Sequence, residues 1–349
     1  MKFSIFYLPT YFPEVHGSVQ NFYNDILEEI VFAEQIGFHS VWFAEHHFYA
    51  YGGVIPSVPM LGLAAAMKTS KIRIGSGVAL LPLNDPIRVA EEFAMLDVLS
   101  AGRLEFGIGR AFQRPEYEAF NVPMSESRER FNEAHDIIIK SWTEDSFSFT
   151  GNFRTLKNLR VIPKPIQTPH PPISVACVLS KESFEWTAKH GYNLMYVPYV
   201  FSLEETKQRL GWYTNALIEN GQDTKDKEVM LVYHLYVGDN IREARDFPKP
   251  YILRYMAAAA EPNQQDAYSK DYSNYAGLGK LFSSIDYDFL YPDRVVFGDS
   301  DSCIERIHQI EALGATHISF VVNFGGIAHS SVMKSLELFG KNVIGHFSK

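Results

Sequence analysis

Short apolar runs alternate along this chain with longer stretches in which apolar residues return every third or fourth position. The short runs, rich in β-branched and aromatic residues, predict strands over residues 3–8, 40–44, 72–79, 104–108, 173–178, 194–197, 229–237 and 317–322. The helical period runs through residues 21–35, 86–99, 128–141, 183–189, 203–219 and 302–313. Strand followed by helix around so many repeats favours an α/β fold of the closed (β/α)8 TIM-barrel type over an open doubly wound sheet. Glycine follows an apolar stretch at Gly37, Gly102, Gly191, Gly221 and Gly314, where a left-handed residue would stop a helix and turn the chain toward the next strand.

Two segments interrupt the alternation. Phe147-Ser148-Phe149-Thr150-Gly151 predicts a small hairpin, followed by a return containing Pro163, Pro165, Pro169, Pro171 and Pro172 that no helix would tolerate. A longer insertion runs from about residue 248 to 292 and carries Tyr251, Tyr255, Tyr268, Tyr272, Tyr275, Phe282, Tyr287, Phe289 and Tyr291. A loop of that length needs a reason, either an active-site lid or a small subdomain packed on the barrel. The expected organisation is one barrel domain over residues 1–349 bearing that insertion.

With 349 residues, 46% of them hydrophobic, the chain has ample material for one large barrel. Its formal net charge of -9 argues against general binding to nucleic acid or acidic lipid, while leaving room for a local basic pocket. Cys177 and Cys303 have no metal-binding or disulfide spacing, and the two adjacent histidines His46 and His47 need not converge on one ion, so no metal is expected. The first residues read as a strand rather than a leader, no apolar stretch reaches membrane-spanning length, and a cytoplasmic protein is expected.

The chemistry-bearing candidates gather where strands should end. Glu45-His46-His47 follows the apolar run Ser40-Val41-Trp42-Phe43-Ala44, and ionisable groups at a strand terminus are placed to meet a ligand or to be hydrogen-bonded structurally. Arg110 follows the 104–108 strand and so emerges at the catalytic end of a barrel, where it can hold a phosphate or form a surface ion pair. Arg128 opens a helix, where the dipole gives a cation nothing, which leaves an anion or solvent as its partner. Ser180 and Ser183 stand at another helix start, as caps or as added donors to an anion.

Taken together, Val41 to His47, the run Gly75-Ser76-Gly77-Val78-Ala79-Leu80-Leu81-Pro82, Asp85 to Glu92, and Ser100-Ala101-Gly102-Arg103-Leu104-Glu105-Phe106-Gly107-Ile108-Gly109-Arg110 resemble the bacterial luciferase-like flavin monooxygenases over nearly the whole chain. The resemblance implies an enzyme that uses FMN, as FMNH2, and O2 to oxygenate a small, partly apolar organic substrate through a flavin C4a-peroxide. It implies phosphate contacts from Arg110, Arg128, Ser180 and Ser183, and a nonprolyl cis bond at Gly77-Val78 beneath the flavin ring. It makes His46 the active-site histidine; Glu45 beside it is placed to orient the imidazole or to stabilise its protonated state, and His47 to bind substrate or serve structurally. His329, after the last strand, faces the pocket or caps the final helix. Electrons are expected from a separate NAD(P)H-dependent flavin reductase, since no Gly-rich dinucleotide fingerprint is present. A homodimer or heterodimer is implied as well. F420-dependent hydride transfer and non-enzymatic flavin binding are the alternative functions.

Overall fold

The structure, a computed structural model, describes residues 1–264 and 270–347. Its strands are β1 (Lys2–Tyr7), β2 (Ser40–Phe43), β3 (Arg73–Ser76), β4 (Ala79–Leu80), β5 (Leu104–Gly109), β6 (Phe147–Thr150), β7 (Thr155–Leu159), β8 (Ile173–Cys177), β9 (Asn193–Tyr196), β10 (Val229–Val237), β11 (Val296–Gly298) and β12 (His317–Val321). β1, β2, β3, β5, β8, β9, β10 and β12 pair in parallel in that order, and β12 returns to β1, which closes an eight-stranded barrel. β6 and β7 form the antiparallel hairpin expected from the aromatic run.

Alternation along each strand decides what fills the barrel and what meets the helices. Phe6 and Trp42 point inward, whereas the neighbouring Tyr7 and Phe43 stack on each other outside, and the Tyr7 hydroxyl donates to Glu29 at 2.9 Å. Trp42 is almost fully buried, and its Nε1–H donates to Ser40 Oγ at 2.9 Å. It fits because Gly75 carries no side chain: a Cβ there would lie 2.3 Å from the indole. Gly107 is required for a different reason, since its Cβ would meet the Ser76 carbonyl oxygen at 1.8 Å.

The lower end of the barrel is polar and internally paired. Ser4 and Ser319 hydroxyls are 2.7 Å apart, His317 Nε2 lies 2.8 Å from Ser4 Oγ, and His317 Nδ1 lies 3.2 Å from Glu228 Oε2. Lys2 also donates to Glu228. Burial pulls the Glu228 carboxyl upward, but the bonds from His317 and Lys2 outweigh it and bring the group down to about 2.

The helices are α1 (Pro13–His16), α2 (Val19–Ile36), α3 (Val58–Lys68), α4 (Pro86–Leu99), α5 (Arg114–Ala119), α6 (Ser127–Thr143), α7 (Lys181–Lys189), α8 (Leu203–Glu219), α9 (Ile241–Asp246), α10 (Lys249–Ala260), α11 (Leu278–Ser284), α12 (Tyr287–Leu290), α13 (Ser300–Glu311) and α14 (His329–Phe339). Asp85, Ser202 and Asp299 cap α4, α8 and α13 through their side-chain oxygens. The five helix-ending glycines all have positive φ, from 67° at Gly191 to 102° at Gly314.

Two elements differ from the sequence pattern. The strand expected over 72–79 is two pieces, because the Gly77-Val78 peptide is cis and interrupts the ladder. α3 went unread because its sequence, Val58-Pro59-Met60-Leu61-Gly62-Leu63-Ala64-Ala65-Ala66-Met67-Lys68, is apolar almost all round and shows no amphipathic period. The described residues of the 248–292 insertion form short helices, among them α10, α11 and α12. Tyr255 is buried within α10, and Tyr272 donates from its hydroxyl to the Ala111 carbonyl at 2.7 Å. Tyr268 lies outside the described residues.

No helix among the described residues is long and apolar enough to cross a membrane.

Candidate active site

Two connected cavities open at the carboxyl ends of the strands. Arg110, Ala176, Val178 and Tyr275 line both, so a single elongated ligand can lie across them.

The smaller cavity gathers two arginines and two serines. Arg110 enters it directly after β5, Arg128 from the first turn of α6, and Ser180 and Ser183 from the start of α7. The Arg110 guanidinium sits 5.1 Å from the Tyr272 ring centre, and its buried Nη1 has no hydrogen-bond partner among the described residues. Ser180 is the N-cap of α7, yet its hydroxyl makes no capping bond. The Ser183 N–H already donates to the Ser180 carbonyl at 2.9 Å, and the positive end of the helix dipole lies at this end of α7. Arg128 is held by Glu182 at 2.8 Å, but the Glu182 side chain is 63% exposed. Such a surface pair is worth about 0–1 kcal/mol, so Arg128 exchanges it readily for a better anion. A buried guanidinium N–H with no partner among the described residues, a second arginine and two hydroxyls at a helix start make a donor set of the kind that suits a phosphate monoester.

The larger cavity encloses about 990 Å³, counting its mouth, and its wall is mainly apolar. Leu8, Val78, Leu80, Met195, Val197 and Phe282 contribute to it, together with Gly77 at the cis peptide. Glu45 and His46 add ionisable groups to this wall beside Arg110.

The triplet after β2 divides its tasks differently from the sequence expectation. His46 Nδ1 lies 3.0 Å from Glu116 Oε1, not against Glu45, and the same carboxylate oxygen accepts the His47 backbone N–H at 3.1 Å. With an acceptor at Nδ1, the neutral ring carries its proton there and leaves Nε2 as the acceptor. Glu45 instead accepts from the Leu80 backbone N–H at 3.0 Å and from Asn84 Nδ2 at 2.8 Å, and lies 3.4 Å from His47 Nε2. It thereby ties the end of β2 to the segment that follows the cis peptide. His47 is not among the cavity residues; its ring packs edge-on against Phe120 at 4.7 Å.

His329 also departs from expectation. It is the first residue of α14, with Nδ1 3.1 Å from Glu29 Oε1 and Nε2 3.6 Å from Glu28 Oε2, so it joins α14 to α2 outside the cavity. Hydrogen bonding to Glu29 raises it above the usual imidazole range, while burial raises Glu29.

Glu116 is the functional candidate that sequence reading missed. It sits on α5, a helix of six residues with Pro115 at its start, and Arg114-Pro115-Glu116 soon after Arg110 is the local signal that would have located it. Tyr51, Phe112 and Tyr199 reach the cavity from loops and had no such signal.

Comparison with known proteins agrees with this arrangement. Residues 1–317 match the luciferase-like monooxygenase family. The chain is 29% identical over 337 residues to the oxygenase component of a flavin-dependent trigonelline monooxygenase from Acinetobacter baylyi, covering 94% of this chain and 90% of that one. It is 27% identical over 329 residues to the alkanal monooxygenase alpha chain of the Kryptophanaron alfredi symbiont, covering 91% and 90%. The crystal structure of monooxygenase RslO1 from Streptomyces bottropensis superposes with a TM-score of 0.85 at 28% identity, over the full length of both chains. A barrel whose anion pocket and apolar cavity meet at its catalytic mouth, matched over this span, belongs to the luciferase-like monooxygenase family.

Proposed function

We propose that this chain binds reduced FMN with the phosphate at Arg110, Arg128, Ser180 and Ser183 and the ring in the apolar cavity that Gly77 and Val78 line, and that it oxygenates a small, partly apolar organic molecule beside His46. The observation that carries the reading is the buried Nη1 of Arg110, without a partner among the described residues, at the junction of the two cavities. Bound reduced FMN supplies the electrons that activate O2, so that one oxygen atom enters the substrate and the other leaves as water.

The protein's own contributions follow from its geometry. Arg110 and Arg128 neutralise the phosphate and set the depth of the flavin. The apolar wall excludes bulk water from the reacting atoms. His46 takes up or returns a proton at Nε2, and Glu116 fixes the ring and stabilises its charged form. Glu45 acts at one remove, by holding the backbone at Leu80.

The 270–284 segment closes the flavin side as a lid, since Tyr275, Leu278 and Phe282 line the cavity while Phe112 stacks on Tyr275 at 5.5 Å. A separate NAD(P)H-dependent reductase delivers the FMNH2, a reading supported by the designation of the Acinetobacter relative as an oxygenase component.

Anaerobic titration of the flavin-free protein with FMNH2, followed by an oxygen pulse, tests the reading. The expected result is a saturable complex that reoxidises more slowly than free FMNH2. Absence of saturable binding refutes it.

A further inference from the structure

Away from the two cavities, a pair of histidines meets at the other end of the barrel. His308 lies in the last turn of α13, and His346 lies in the short C-terminal helix α15 (Gly345–Phe347). Their Nε2 atoms are 3.3 Å apart and their ring centres 5.5 Å apart, so each ring turns its Nε2 toward the other. Phe347 packs on His308 at 4.8 Å and on Phe3 at 5.5 Å. The pair therefore stands beside the start of β1, whereas the cavities open at the carboxyl ends of the strands. The two histidines are 38 positions apart, so no local spacing announces them.

The meeting point is built for a cation. His308 Nδ1 lies 3.2 Å from Glu311 Oε2, so the neutral His308 ring carries its proton there and presents a lone pair at Nε2. A carboxylate on the far nitrogen of an imidazole fixes the ring and makes the near nitrogen a stronger ligand. The Nε2 separation of 3.3 Å is long for an N–H donor, whose bonds to oxygen run about 2.7–3.2 Å. It fits one edge of a tetrahedron around a metal: with Zn–N bonds of about 2.0–2.1 Å, two imidazole nitrogens stand about 3.3–3.4 Å apart. The last turn of α13 adds the negative end of its helix dipole, and both rings are exposed, so an ion has free access.

We propose that His308 and His346 bind a divalent transition ion of the zinc type through their two Nε2 atoms, and that the ion clasps α15 to α13. His346 then carries its proton at Nδ1, which leaves both Nε2 lone pairs to the metal. No group of three or more His, Cys, Asp or Glu side chains suited to a metal gathers among the described residues, so solvent completes the coordination and the ion exchanges. Imidazole ligands favour Zn2+, Ni2+ or Cu2+, whereas Mg2+ prefers oxygen. The site is independent of the flavin reading.

Calorimetric titration of the full chain with Zn2+ at neutral pH tests the assignment, with Mg2+ as the control and thermal unfolding followed with and without saturating Zn2+. The wild type is expected to show one saturable Zn2+ site per chain and a raised unfolding temperature, and neither effect with Mg2+. His346→Ala and His308→Ala should each weaken Zn2+ binding by at least about 10-fold, because losing only the carboxylate behind a ligating histidine already costs about 10- to 100-fold. The thermal shift should vanish with the affinity. Cooperative unfolding of each metal-free variant shows that it folds, and since both positions are exposed, either variant alone decides the question. Absence of saturable Zn2+ binding by the wild type, equal binding of Mg2+, or a Zn2+ affinity in a folded variant within about 3-fold of the wild type overturns the assignment.

Discussion

Replacing Arg110 with methionine should separate ligand affinity from protein stability. In the free protein Arg110 Nη1 is buried without a partner among the described residues, a state that costs about 1–3 kcal/mol. Against that stands its contact with Tyr272, worth about 0.5–1 kcal/mol. Methionine keeps much of the apolar stem and abandons the unpaired donor. The flavin-free variant should therefore match the wild type in stability or exceed it by as much as about 2 kcal/mol, read by urea unfolding.

With FMN bound, the same guanidinium meets a phosphate, and truncating one partner of a buried charged pair costs about 2–5 kcal/mol. FMN affinity should fall roughly 30- to 4000-fold, because each 1.4 kcal/mol is a factor of ten. Fluorescence titration with FMN and with riboflavin supplies the control: riboflavin lacks the phosphate, so its affinity should change by less than about 3-fold. Arg110→Lys should fall between, since an ammonium keeps the charge and loses the planar fork. Equal losses for FMN and riboflavin, or an FMN loss below about 3-fold, would refute the assignment of the phosphate to this pocket.

Glu116→Ala should lower kcat roughly 10- to 150-fold, the worth of one charged hydrogen bond of about 1.5–3 kcal/mol, while FMN affinity changes little. A loss confined to FMN affinity would show that Glu116 does not act through His46. Stability should also fall in acid. Burial holds His234 at about 3, and burial with the nearby charges of His317 and Lys2 holds His39 at about 4. Both are depressed below the ordinary imidazole value, so their stabilisation is complete above about pH 6.5 and is lost as pH falls toward those values, by about 2 kcal/mol at pH 5 for His234 alone. Glu228, depressed to about 2, adds a second loss between about pH 4.5 and 2. Thermal unfolding from pH 7 to 3 checks both, and His234→Phe should flatten the upper limb; an unchanged upper limb counts against His234 as its source.

The sequence by itself determined the alternating strands and helices, because their periods are local: the strand at 229–237, the helices at 86–99 and 203–219, and the five glycine stops lie where the pattern placed them. It also placed Arg110, Arg128, Ser180 and Ser183 at element ends, and the structure brings those four to one cavity. The closing of β12 onto β1 joins residues more than three hundred positions apart, which no local period encodes. Tertiary packing alone decided the partner of His46. Glu45 is adjacent in sequence but is drawn to the Leu80 backbone, whereas Glu116 arrives from a short helix 70 residues away. It likewise placed His329 on Glu29 and gathered Tyr51, Tyr199, Tyr255 and His234 from separate segments into one corner. Secondary structure follows from which residues are neighbours along the chain, whereas the pairing of a buried polar group depends on which distant side chain reaches it when the barrel closes.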